Sequence, residues 1–144
     1  MHTFVQPDLA TLQRRLETNP FAMWLGTQLT AANQDGVEFR CDWRDEFLGN
    51  VARGAVHGGI LATLVDTAAI YAVIAAIGSM AATIDLRVDY HGMARRGAFK
   101  ITGTPVRIGR TLSTAESRVF DCDNRLVASG RGTFIRLDEP ITRS

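Results

Sequence analysis

Residues 60–82, ILATLVDTAAIYAVIAAIGSMAA, form an apolar run broken by a single charge, Asp66. A run of that length passes the threshold of roughly 18 residues for a transmembrane helix. The aspartate argues against a span, because a carboxylate near the middle of a lone lipid-facing helix is costly. The segments that follow alternate apolar and polar residues as half-buried strands do, a pattern that a membrane anchor does not require. The run therefore reads as a buried helix. It opens at His57-Gly58-Gly59, ends near Ile77 with Gly78-Ser79 as its stop, and is apolar on nearly every side. A helix with no face to offer water must be wrapped by other elements of the chain.

The rest of the sequence supplies those elements. Asp8, after Pro7, caps a short amphipathic helix over residues 8–19, with Leu9, Leu12 and Leu16 at helical spacing and Asn19-Pro20 at its end. Residues 21–26 (FAMWLG) read as an apolar connector, so that residues 1–26 form an N-terminal helix and connector within one domain spanning 1–144. Strands over 27–32 and 37–43 flank Asn33-Gln34-Asp35-Gly36, a hairpin signal. Residues 44–56, with Gly49, Gly54 and mixed charge, read as a loop long enough to carry function. Beyond the long helix, residues 83–90, 98–108, 111–121 and 126–137 read as strands. Gly109-Arg110 and the DCDNR segment at 121–125 join them tightly, which predicts an antiparallel meander.

Helix, two strands, one long helix and four strands give an α+β fold, an antiparallel sheet curled around the helix. One sheet covers only part of an all-apolar helix, so a second copy of the chain is expected to close the remaining face, as a homodimer or a homotetramer built from two dimers. Sixteen Lys and Arg against 15 Asp and Glu leave a net charge of +1, which offers nothing to nucleic acid. Cys41 and Cys122 lie far apart without metal-ligand spacing and read as reduced core or strand thiols of a cytoplasmic protein. Residues 1–10 (MHTFVQPDLA) lack the charged start and apolar run of a secretory signal.

Asp66 is the residue with most to explain. Its helical neighbours Ala62, Thr63, Ala69 and Ile70 place it on an apolar surface with only Thr63 and Thr67 as polar company. A carboxylate held there is either paired with an arginine across a dimer interface or kept for chemistry that a poorly solvated base performs well. Gly58 and Gly59 leave helix-start amides open to approach, and the helix dipole favours negative charge at that point, as in an oxyanion hole. A glycine-rich start packed closely on a strand has the same sequence. Eight residues separate Gly58 from Asp66, roughly 12 Å of helix, so one chain cannot bring both to a single carbonyl. Two antiparallel copies can, which ties the dimer to the chemistry.

Asn50, then His57-Gly58-Gly59, Leu64-Val65-Asp66-Thr67-Ala68 and Ala82-Thr83-Ile84-Asp85, in that order and spacing, resemble the hotdog-fold acyl-CoA thioesterases of the phenylacetate-pathway (PaaI-like) type. The likeness runs from Gly49 to Leu137 and takes in Gly109-Arg110-Thr111-Leu112 and Leu126-Val127-Ala128-Ser129-Gly130. The resemblance implies that Asp66 activates water or attacks the thioester carbon, while the Gly58 amide of the other protomer receives the thioester oxygen. It makes Asn50 and His57 polar residues of the pocket, and Thr83 the hydroxyl that holds the attacking water. Gly59 and Thr67 fall on its substrate-contacting positions, and His57 has the second option of capping the helix. The chain departs from the family pattern at Tyr90-His91-Gly92-Met93-Ala94-Arg95-Arg96, where relatives usually carry an aliphatic or aromatic residue followed by Arg-Pro or a similar bend.

Arg95, Arg96 and Arg110 are candidates for coenzyme A phosphates, since guanidinium pairs well with phosphate oxygens; plain surface charge is the alternative. Phe47, Trp24, Tyr71 and Met80 are candidate walls of the acyl pocket. No metal or separate cofactor is expected, coenzyme A being part of the substrate. With only His2, His57 and His91, no Gly-x-Ser-x-Gly elbow and no dinucleotide or P-loop fingerprint, a serine hydrolase or nucleotide enzyme is not indicated. The rivals are a non-catalytic acyl-CoA sensor on the same fold and a hydratase or dehydratase in which His57 and Asp66 share a proton.

Overall fold

The structure, a computed structural model, describes residues 5–141. His2 and the first four residues of the segment read for a secretory signal lie outside them. Helix α1 (Leu9–Glu17) starts where Asp8 accepts a hydrogen bond from the Thr11 amide at 2.8 Å, and it buries Leu12 and Leu16. The FAMWLG connector is instead a helix, α2 (Pro20–Leu25). Asn19 caps it by accepting from the Phe21 and Ala22 amides, Pro20 sits where a missing N–H costs nothing, and Gly26 ends it in the left-handed region at φ 79°. These end signals outweigh its short length.

Strands β1 (Thr27–Asn33) and β2 (Gly36–Cys41) form the expected hairpin, with Asn33 opposite Gly36. The segment read as a loop over 44–56 carries structure of its own. A 3-10 turn at Asp45–Phe47 leads into a small arm in which β3 (Leu48–Asn50) pairs with β4 (Ala55–Val56). Phe47 anchors that arm by burying its ring completely. The long helix follows as α3 (Gly58–Ile77), ended by Gly78 in the left-handed region. Its length and mean hydropathy of 2.1 would suit a membrane span, but more than half of its residues are buried within the protein.

Strand β5 (Ser79–Tyr90) begins directly after the helix cap, four residues earlier than its alternation indicates, and is followed by β6 (Phe99–Arg107), β7 (Leu112–Phe120) and β8 (Leu126–Pro140). All pairings are antiparallel, in the order β1-β2-β6-β7-β8-β5. Only β6, β7 and β8 therefore form the meander; β5 crosses to the far edge and pairs with β8, with Thr83 opposite Phe134. The tight β7–β8 connection is held by Asp121, whose Oδ1 accepts the amides of Asp123 and Arg125 at 3.0 Å each. Cys122 sits in that turn and is exposed, not in a strand or the core, whereas Cys41 is buried in β2 and burial pushes its thiol up to about 12.

The sheet's inner face packs on α3 through Phe39, Phe99, Ile101, Ala115, Val119 and Phe134, all essentially inaccessible to solvent. Its two edges are treated differently. At β1 the bulge near Leu29–Ala31 breaks the register, and Gln13 of α1 caps the Leu29 amide at 2.8 Å, which blunts that edge. Strand β5 is the other edge, twelve residues long, and Ile84 on it is 54% exposed.

Candidate active site

Asp66 lies in the third turn of α3, flanked by the buried Val65 and Ala68. Counted back from the Gly78 cap it is twelve residues away, roughly 18 Å along the helix. Thr83 is five residues forward along β5, roughly 17 Å in the returning direction. The helix–strand reversal thus brings the two level, and the Thr83 hydroxyl donates to Asp66 Oδ1 at 2.8 Å. Burial pushes the half-buried Asp66 carboxyl above its ordinary value of 3.8, and the Thr83 bond, which favours the charged form, offsets part of that rise. No arginine pairs with Asp66 among the described residues, and its Oδ2 accepts no hydrogen bond there. Thr63 and Thr67 turn their hydroxyls back into the helix, onto the Gly59 and Thr63 carbonyls at 2.8 Å. That leaves Thr83 as the only side chain bonded to the carboxylate among the described residues.

The start of α3 has a different character. His57 is the N-cap: its Nδ1 accepts from the Gly59 amide at 2.8 Å, so the neutral ring carries its proton on Nε2. The His57 carbonyl takes the Ile60 and Leu61 amides, and the His57 amide donates to the Phe47 carbonyl at 2.8 Å. Among the described residues every amide of the first turn then has an acceptor except that of Gly58, which stands free at the positive end of a 20-residue helix. A Cβ on Gly59 would meet His57 Nδ1 at 2.9 Å, so the cap needs glycine there. Replacing His57 with alanine is expected to cost about 1 kcal/mol in chemical denaturation, the usual cost of a lost cap.

Asn50 ends β3, and its Oδ1 accepts the Arg53 amide at 3.1 Å, so it shapes the turn of the arm that abuts His57. Tyr90, which sequence reasoning assigned no role, donates its hydroxyl to the Gly58 carbonyl at 2.8 Å from the end of β5. No local signal links residues 32 apart. Arg95 pairs with Asp123 at 3.3 Å, and the Arg96 guanidinium lies beside Gly54 of the arm. Arg110 is placed elsewhere: it borders a cavity with Gly78 and Ser79, at the opposite end of α3 from Gly58. Of the four proposed pocket walls, Phe47 and Tyr71 are core residues, Met80 is half-buried, and Trp24 is exposed. Among the described residues no three His, Cys, Asp or Glu side chains converge as metal ligands would.

A family model described as the thioesterase superfamily matches residues 53–128, more than half of the 144-residue chain. That match contains Gly58, Asp66, Thr83 and Tyr90. A candidate esterase of Halobacterium salinarum is 33% identical over 87% of this chain and 89% of its own. A medium/long-chain acyl-CoA thioesterase of Salmonella typhimurium is 26% identical over 81% of this chain and 84% of its own. Among solved structures, a protein of the thioesterase superfamily superposes with a TM-score of 0.87 at 38% identity, covering 90% of this chain and 98% of that one. The Escherichia coli PaaI protein from the phenylacetic acid degradation operon shares the fold, with a TM-score of 0.74 at 21% identity over 91% and 99% of the two chains.

Proposed function

Starting from a chain that belongs to the thioesterase superfamily, with the hotdog arrangement of a sheet wrapped on one helix, we propose that it hydrolyses acyl-CoA thioesters to the free acid and coenzyme A. The observation that carries this reading is the half-buried Asp66 carboxylate, set on Thr83 in an otherwise apolar helix whose first amide is free. Water attacks the thioester carbon as Asp66 takes its proton, and the carbonyl oxygen becomes an oxyanion. The Gly58 amide of a second protomer donates to that oxyanion. Collapse of the adduct breaks the C–S bond, and the departing thiolate takes the proton back from Asp66. Direct attack by Asp66 through a mixed anhydride uses the same groups in the same places.

A carboxylate raised above its ordinary pKa is a stronger base than a solvated one, and a free amide at a helix start is a preorganised oxyanion donor. Because Gly58 and Asp66 are roughly 12 Å apart on one helix, the reaction needs two protomers with antiparallel α3 helices. The uncovered β5 edge, with Thr83 and Ile84 on it, supports that assembly. Sedimentation equilibrium is expected to give a dimer or tetramer; a monomer that turns over substrate would overturn the shared site. Arg96, whose guanidinium lies beside Gly54 of the arm, and Arg95, paired with Asp123, are the candidate phosphate partners, while Arg110 lies at the opposite end of α3 from Gly58. His57 spends Nδ1 on its cap, which leaves only Nε2 for the proton sharing with the Asp66 of a second protomer that a hydratase requires.

The test is free-thiol release from short-chain, long-chain and aryl-acyl CoA thioesters, with binding of each followed in parallel. Turnover of at least one is expected. Tight binding with no thiol released from any would favour an acyl-CoA sensor. The pH dependence is a second check: kcat should fall on the acid side as Asp66 protonates, along a limb lying above 3.8, the ordinary value.

A further inference from the structure

Glycine is the softest residue of the backbone, and a hydrogen bond weakens steeply as its donor swings off line. The Gly58 amide is useful as an oxyanion donor only if something other than a side chain of its own holds its direction. The amide plane before Gly58 is held on the carbonyl side, where His57 O accepts from Ile60 at 3.0 Å. The plane after Gly58 is held on both sides: its Gly59 amide donates to His57 Nδ1 at 2.8 Å, and from outside the helix Tyr90 donates its hydroxyl to Gly58 O at 2.8 Å. The Tyr90 ring also lies against Gly58, since a Cβ there would meet Cζ and the phenol oxygen at 3.3 Å each.

We infer that Tyr90 is a positioning residue for the oxyanion donor, its hydroxyl fixing the rotation of Gly58 so that the amide points at the thioester oxygen. The inference rests on the thioesterase reading above and adds to it a residue that touches neither substrate nor reacting atoms. Tyr90 terminates β5, the strand that also carries Thr83, so one strand sets the carboxylate with one hydroxyl and the amide with another. Tyr90 is 54% exposed, and its contribution to the core is correspondingly small. The half that binds Gly58 is thus separable from folding.

The experiment compares wild type with Tyr90→Phe, which keeps the ring against Gly58 and removes only the O–H. On the best thioester of the panel, kcat is expected to fall about tenfold, less than the loss of an oxyanion donor itself. Affinity for a non-hydrolysable acyl-CoA thioether and the melting temperature should stay at wild-type values. Tyr90→Leu, which loses the ring as well, should fall further in kcat. Amide 15N relaxation supplies a readout independent of turnover: Gly58 should gain mobility in Tyr90→Phe while Asp66 does not. Unchanged kcat or unchanged Gly58 relaxation overturns the inference, as does a parallel loss of kcat, affinity and melting temperature, which marks Tyr90 as merely structural. Absence of turnover in wild type would sink the thioesterase reading instead, with the relaxation result still deciding whether Tyr90 holds Gly58.

Discussion

Asp66→Asn is expected to lower kcat by roughly 10²–10⁴-fold, the usual worth of a positioned general base, while leaving the affinity for a non-hydrolysable acyl-CoA thioether near wild type. Asparagine has nearly the same shape and still accepts from Thr83, so the loss isolates the base. The same substitution should raise the melting temperature at pH 7 or leave it unchanged. Burial raises the Asp66 pKa in the folded protein, so its contribution to stability is fully present below the ordinary 3.8 and is lost as pH rises through the folded value. At neutral pH the charged carboxylate is therefore a cost that asparagine removes, and the advantage of the variant should vanish below pH 3.8. Kinetics and thermal melts at neutral and acid pH check both halves. A variant with wild-type turnover would remove Asp66 from the chemistry.

The second large effect concerns how α3 sits on the sheet. Gly103 in β6 and Gly130 in β8 both lie opposite Ser117 of β7, so three small residues stand side by side across the sheet. A methyl on Gly103 would overlap the Ala68 carbonyl, and one on Gly130 would come within 2.6 Å of Val65 Cγ1. The turn that bears Asp66 thus rests on the backbone of the sheet. Gly103→Ala must lift the helix or bend the strand, at a cost of roughly 1–3 kcal/mol for overpacking a close contact. A fall in melting temperature of several degrees should accompany it, with reduced kcat because Asp66 moves relative to Thr83. Differential scanning calorimetry with parallel thiol-release assays checks this. An unchanged melting temperature would show that the contact yields easily.

The candidate site was legible in the sequence to the extent that its signals are local. Asp66 stands out because a charge inside an apolar helix is visible from its neighbours along the chain, and Gly58-Gly59 because helix starts have a recognisable composition. His57 is open between capping and catalysis in the sequence, and only the fold shows that its Nδ1 accepts the Gly59 amide. The thioesterase-like order of motifs also named Thr83, and the reversal at Gly78 explains why a residue seventeen positions from Asp66 meets it. Arg110 looked equivalent to Arg95 and Arg96 by residue type, yet the fold sends it to the other end of α3.

By itself the sequence determined that an all-apolar helix with one carboxylate must be wrapped by strands, because burial requirements and end signals are written in residues three to five positions apart. The tertiary structure alone decided that β5 crosses to the edge beside β8, that FAMWLG coils into α2, and that Tyr90 reaches Gly58. Strand order and side-chain contacts across the sheet follow from how all the elements pack at once, and neither the edge position of β5 nor the Tyr90 contact leaves a local pattern in the chain.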